Sequence, residues 1–111
     1  MQALFLVLHK VECLDELLVA LQEAGINGGT IIDSRGMMNT LKKNENFIMD
    51  SLRIFLEDPR EESKVLFFIL DDKHVEIARK TIDQSLGGIE NPNTGIMFGF
   101  DLKFVQGLKK D

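Results

Sequence analysis

The sequence predicts an α+β domain, a four-stranded antiparallel sheet with two helices on one face, and three observations support this. The order strand, helix, strand occurs twice, over about residues 2–36 and 64–101. Each copy opens on a run with almost no polar residue, Ala3 to Leu8 and Val65 to Leu70. Each helix is closed by glycine. A strand with one wetted face alternates apolar and polar residues; these two runs do not, so both of their faces are expected to be covered. Two helices cover one face only. In a chain of 111 residues, the other face is expected to lie against another copy of the protein.

The elements follow in order. The first strand ends at His9-Lys10, and a helix is expected from about Leu14, with Leu14, Leu17, Leu18, Leu21 and Ala24 on one stripe. Asp15 and Glu16 suit its first turn, where the helix dipole favours negative charge. Gly25 follows its end as a left-handed closing residue. After Asn27-Gly28-Gly29, a second strand is expected from Thr30 to about Arg35. In the second copy, Asp71 and Asp72 are candidate N-caps, Val75, Ala78, Ile82 and Leu86 form the buried stripe, and Gly87-Gly88 close the helix. Glu90 to Gly95 is rich in turn formers, and the fourth strand is expected from Ile96 to about Leu102. With right-handed crossovers this is the split βαβ, ferredoxin-like arrangement βαββαβ.

The stretch 37–63 interrupts the symmetry, joining two strands that a tight hairpin would serve. Asn39 to Asn46 is polar, carries Lys42-Lys43, and is expected to be a loop. Ile48, Leu52, Phe55 and Leu56 recur at helical spacing before Pro59, which predicts an extra helix between strands two and three. Its apolar face either packs on the domain or a neighbouring subunit, or docks on a partner protein.

Composition narrows the function classes. Apolar content of 44% and charged content of 28% fit an ordinary single globular domain. A net charge of -5 disfavours nucleic acid and anionic membrane as partners, since both need clustered cations. One cysteine, Cys13, permits no internal disulfide and suits a reducing, cytoplasmic compartment. No run approaches the roughly 20 apolar residues of a membrane span, and the N-terminal run lacks a signal peptide's basic region and cleavage site.

Several motifs resemble those of the P-II signal-transduction (nitrogen regulatory) proteins, in particular a divergent P-II-like branch. Val7-Leu8-His9-Lys10 with Leu14-Asp15-Glu16 is similar to that family's opening strand and helix start. Ala24 to Thr30 is similar to its turn into strand two, and Arg35-Gly36 to the point where its long T-loop begins. Thr94 to Phe98 with Val105-Gln106-Gly107-Leu108 resembles the last strand and tail of the divergent branch. The resemblance covers most of the chain outside 37–63. It implies a cytoplasmic homotrimer that is not an enzyme, with sheets facing inward and adenine nucleotides in clefts between subunits. By position, Gly28, Gly29, Thr30, Gly36 and Met37 would line one side of the cleft. Gly87, Gly88, Ile89, Asn93 and Thr94, the B-loop side, would line the other. Glycine suits such a place because its backbone approaches a phosphate closely; the same glycines also serve simple turns. Residues 37–63 would act on a regulated transporter, enzyme or regulator, through Ile48, Leu52, Phe55 and Leu56.

Departures from the family pattern shape the ligand expectation. The family's B-loop lysine falls near Gly95, its two tail arginines at Gly107 and Lys109, and its T-loop glutamine near Thr40. Each charge-assisted phosphate contact contributes roughly 1.5–3 kcal/mol. AMP, ADP or a cyclic nucleotide is therefore expected in preference to MgATP with 2-oxoglutarate. The absence of tyrosine rules out tyrosyl modification.

Two further readings come from other classes. His9 and Cys13, with His74 elsewhere, are the starting point for a CutA-type trimeric metal-tolerance protein, though a metal site needs three or four converging ligands. Cys13 as a small buried residue and the histidines as helix-end groups is the reading favoured over a metal site. A ligand-free interaction module is the other reading. The run Glu57 to Glu62 is expected to be a solvated face. An acylphosphatase, which grips phosphate with an arginine after strand one, is disfavoured by Lys10-Val11-Glu12 in that place.

Overall fold

A computed structural model describes residues 1–44 and 62–108. It contains four strands, β1 (Gln2–Leu8), β2 (Thr30–Ser34), β3 (Ser63–Leu70) and β4 (Gly95–Asp101). Among the described residues three α-helices accompany them, α1 (Leu14–Glu23), α2 (Met37–Asn44) and α3 (Asp72–Ser85), with a 3-10 turn at Val11–Cys13. The sheet order is β2-β3-β1-β4 and every neighbouring pair is antiparallel. This α+β arrangement is compatible with the ferredoxin-like fold expected.

The apolar runs occupy the two central strands, β1 and β3. On one side of the sheet, Leu4, Leu6, Leu8, Leu66 and Phe68 are buried against Leu17 and Leu21 of α1 and Ala78 and Ile82 of α3. The predicted stripe of α3 is buried throughout, Val75 and Leu86 included. On α1, Leu14 and Leu18 are only partly buried and flank the core.

Both helices end alike. At Gly25 (φ 89°) and Gly87 (φ 72°) the chain turns left-handed. Gly25 N–H donates to Gln22 O at 3.0 Å and Ile26 N–H to Leu21 O at 2.8 Å. Gly87 and Gly88 repeat the pair of bonds onto Gln84 and Asp83. This double closure satisfies carbonyls that a helix end otherwise leaves unpaired. The N-terminus of α3 is capped by Asp71, whose Oδ1 accepts from His74 N–H at 2.8 Å.

The opposite side of the sheet carries Phe5 and Val7, Val65, Phe67 and Ile69, and Ile96, Phe98 and Phe100. Register sets Phe5 opposite both Phe67 and Phe98. Their rings stack at 5.3 and 5.2 Å, with Phe100 at 5.9 Å. No described element covers this face, and Ile96, Phe98 and Phe100 remain 58%, 47% and 50% exposed.

One expectation is corrected. Residues 37–44 form helix α2, which takes up most of the stretch 39–46 expected to be a polar loop. Met37, Met38 and Leu41 give this helix of about two turns an apolar side, exposed in the chain alone, and the Thr40 hydroxyl donates to Gly36 O at 3.0 Å. The expected helix through Ile48 and Leu56 lies outside the described residues. At the foot of the insert Ser34 and Ser63 are cross-strand partners, their hydroxyls 2.6 Å apart.

Candidate ligand clefts at the two sheet edges

The first group of expected ligand residues belongs to the β2 edge. Gly28, Gly29 and Thr30 form the mouth of a cavity of about 460 Å³ between α1 and the β2–β3 pair. Its floor is apolar, made by Leu18, Leu21, Ile26, Leu66 and Phe68. Gly29 is needed there because an added Cβ would stand 2.5 Å from the Phe68 ring. Gly36 and Met37 lie past the other end of β2, roughly 20 Å away at strand rise, where Met37 is 74% exposed. The five residues thus span the length of one edge strand and do not converge on one point.

The second group lies at the β4 edge, on the loop leaving α3. Its backbone donors are largely committed within the loop. Gly87 and Gly88 N–H donate to Gln84 O and Asp83 O, and Asn91 N–H to Gly88 O. Ile89 N–H donates to Asp83 Oδ1 at 2.8 Å. Thr94 is buried; its carbonyl accepts from His9 and Lys10 N–H at 3.0 and 3.1 Å, and its hydroxyl donates to Pro92 O. Asn93 takes φ 60° to close the turn. A phosphate at this loop would compete with an internal carboxylate for the Ile89 donor. Lys109 and the partner-docking residues Ile48, Leu52, Phe55 and Leu56 lie outside the described residues.

Beside this loop a groove of about 560 Å³ runs between α3 and β4. Gly95 and Gly99 open it, because both face the helices without a side chain. A Cβ at Gly95 would stand 2.7 Å from Val7 O, and one at Gly99 3.1 Å from Ala3 O. Gly95 therefore admits no side chain without moving the strand. Arg79 is the basic group of the groove and is paired with Glu76 at 3.0 Å; Glu90 adds a further carboxylate. Sequence reading missed this groove. Its signal was two glycines four apart in a strand, which share a face.

Elsewhere, backbone and side-chain bonds from His74 hold the Asp71 carboxyl below its usual range. The Asp33 carboxylate, bonded at 2.6 Å, raises the Lys64 amine. Among the described residues, no three His, Cys, Asp or Glu side chains converge as metal ligands. No helix among them is long and apolar enough to cross a membrane.

The two halves of the expected cleft thus occupy opposite edges of the sheet, β2 and β4, and meet only if different copies of the chain come together. No protein-family model matches this chain, and no curated protein matches its sequence.

Proposed function

We propose that this chain is a homotrimeric, P-II-like regulatory protein of ferredoxin-like fold, without catalytic activity of its own. It binds a small ligand where the edges of neighbouring subunits meet and passes occupancy to a partner protein through residues 37–63. The observation that carries this reading is the open sheet face. A patch with four phenylalanines, flanked by valine and isoleucine, is far more apolar than a solvated sheet surface, and such patches mark association sites. Copies that turn this face inward seal it and bring β2 and β4 edges together. In the insert, exposed Met37, Met38 and Leu41 supply an adaptable apolar contact for the partner.

The ligand we propose is an adenine nucleotide of low phosphate charge, AMP or a cyclic mononucleotide ahead of ADP and MgATP. An apolar cavity at one edge suits a base. The committed loop donors, the side-chain-free Gly95 and the Arg79–Glu76 pair leave little to hold a triphosphate.

Native mass measurement of the purified protein, followed by a thermal-shift series with AMP, cyclic AMP, ADP and MgATP, tests both parts. A trimer whose melting temperature rises most with a monophosphate is expected; a ligand at a hundred times its Kd stabilises by about 2.7 kcal/mol. A monomeric mass removes the reading. The largest shift from MgATP overturns the ligand assignment alone.

A further inference from the structure

We propose that neighbouring copies join edge to edge, β4 of one against β2 of the next, and that this joint delivers Phe104 of the first copy into the α1–β2 cavity of the second. The inference rests on the assembly proposed above and adds the residue that a second copy contributes to the cleft.

Hydrogen-bond parity identifies what each edge offers. His9 N–H donates to Thr94 O and Leu102 N–H to Met1 O, both at 3.0 Å, so the even-numbered residues of β4 point their backbone groups at β1. Alternation turns the N–H and C=O of Gly95, Met97 and Gly99 outward. Carried across β1 and β3, the same alternation turns those of Ile31 and Asp33 outward from β2. Among the described residues, no strand lies beside either edge.

Direction decides which edges meet. Three antiparallel steps separate β2 from β4, so the two run oppositely. The β4 strand of one copy therefore pairs antiparallel with β2 of the next while every phenylalanine face stays on one side. A two-fold pairing of like edges uses one edge and leaves the other bare. The head-to-tail joint uses both, and closes into a ring with the apolar faces inside.

The joint also places the tail. β4 ends beside Gln2, at the end of the sheet from which β2 starts. Chain leaving β4 thus emerges at the neighbour's Gly28–Thr30 turn, the mouth of the apolar cavity. Phe104 is 78% exposed in the chain alone, the most exposed large apolar side chain described. A phenyl ring matches the cavity's leucine and phenylalanine floor and fills only part of its roughly 460 Å³, leaving room for a ligand at the glycine rim. Charge agrees: Lys103 precedes the ring, while α1 ends near the cavity on Glu23 with no basic residue in its last turn.

The chain has no tryptophan or tyrosine, so Phe104→Trp introduces its sole indole. Emission and sedimentation are read on the same sample. The expected result is an assembled protein with blue-shifted emission. Adding Gly28→Phe, at a position whose Cβ meets nothing within 4 Å, should fill the mouth and shift emission to the red at a protein concentration where sedimentation still shows the assembly. In the parent chain, Phe104→Ala is expected to weaken assembly at least tenfold. An assembled protein with a water-exposed indole, emission indifferent to Gly28→Phe, or an unchanged dissociation constant for Phe104→Ala overturns the inference and leaves the trimer standing. A monomeric parent chain overturns both.

Discussion

Gly95 shows how much one missing side chain decides. It starts β4 opposite Leu8, where the strand runs so close to β1 that a methyl group would meet the Val7 carbonyl oxygen. That oxygen belongs to the central strand's backbone and has nowhere to go. Gly95→Ala is expected to destabilise the fold by about 1–3 kcal/mol, the range for forced overpacking, read as a fall in urea midpoint at unchanged slope. An unshifted midpoint would mean that the strand gives way freely. In the sequence Gly95 read as a turn former ahead of the strand. Its close approach to β1 was not legible, because that contact depends on a partner almost ninety residues earlier in the chain. Gly25 and Gly87 were legible, because helix closure is written in neighbouring residues.

Among the elements, the two helices were read nearly residue for residue, since an apolar stripe at helical spacing is local and strong. Helix α2 was misread. Its Lys42-Lys43 and asparagines suggested a loop, whereas Met37, Met38 and Leu41 mark the apolar side of a short helix. The cap of α3 carries a pH signature. His74 holds the Asp71 carboxyl below its usual range, so the folded state favours the ionised form. That contribution is present above the carboxyl's unfolded pKa and is lost as pH falls through the lowered folded value. Asp71→Asn is expected to flatten the fall of melting temperature on the acid side while changing little near neutrality, since asparagine caps nearly as well. A parallel, uniformly displaced profile would assign the effect to the cap bond and not to its charge.

For the molecule as a whole, the continuous apolar runs in β1 and β3 predicted a sheet with nothing to spare for water. The structure buries one side under helices and, among the described residues, leaves the other uncovered. That much was legible, because a strand without alternation has no solvent side. The opposite placement of the two expected cleft halves was not, since strand order is set by long-range pairing. Phe98 stacks on Phe5, the central ring of the aromatic cluster. Phe98→Asp would put a carboxylate into the sealed interior of the proposed assembly, yet in the isolated chain it faces water. The variant is expected to keep its circular dichroism and sediment as one subunit. A variant that stays assembled would show that the subunits meet elsewhere.

The Ser34–Ser63 hydroxyl contact pinches the excursion 37–63 at its root, with adjacent strands already paired up to that point. The cost of closing so long a detour grows only slowly with its length. Nature and engineers alike can therefore rewrite what lies beyond the pinch, lengthening it or grafting a new recognition sequence, while the scaffold beneath keeps its pairing.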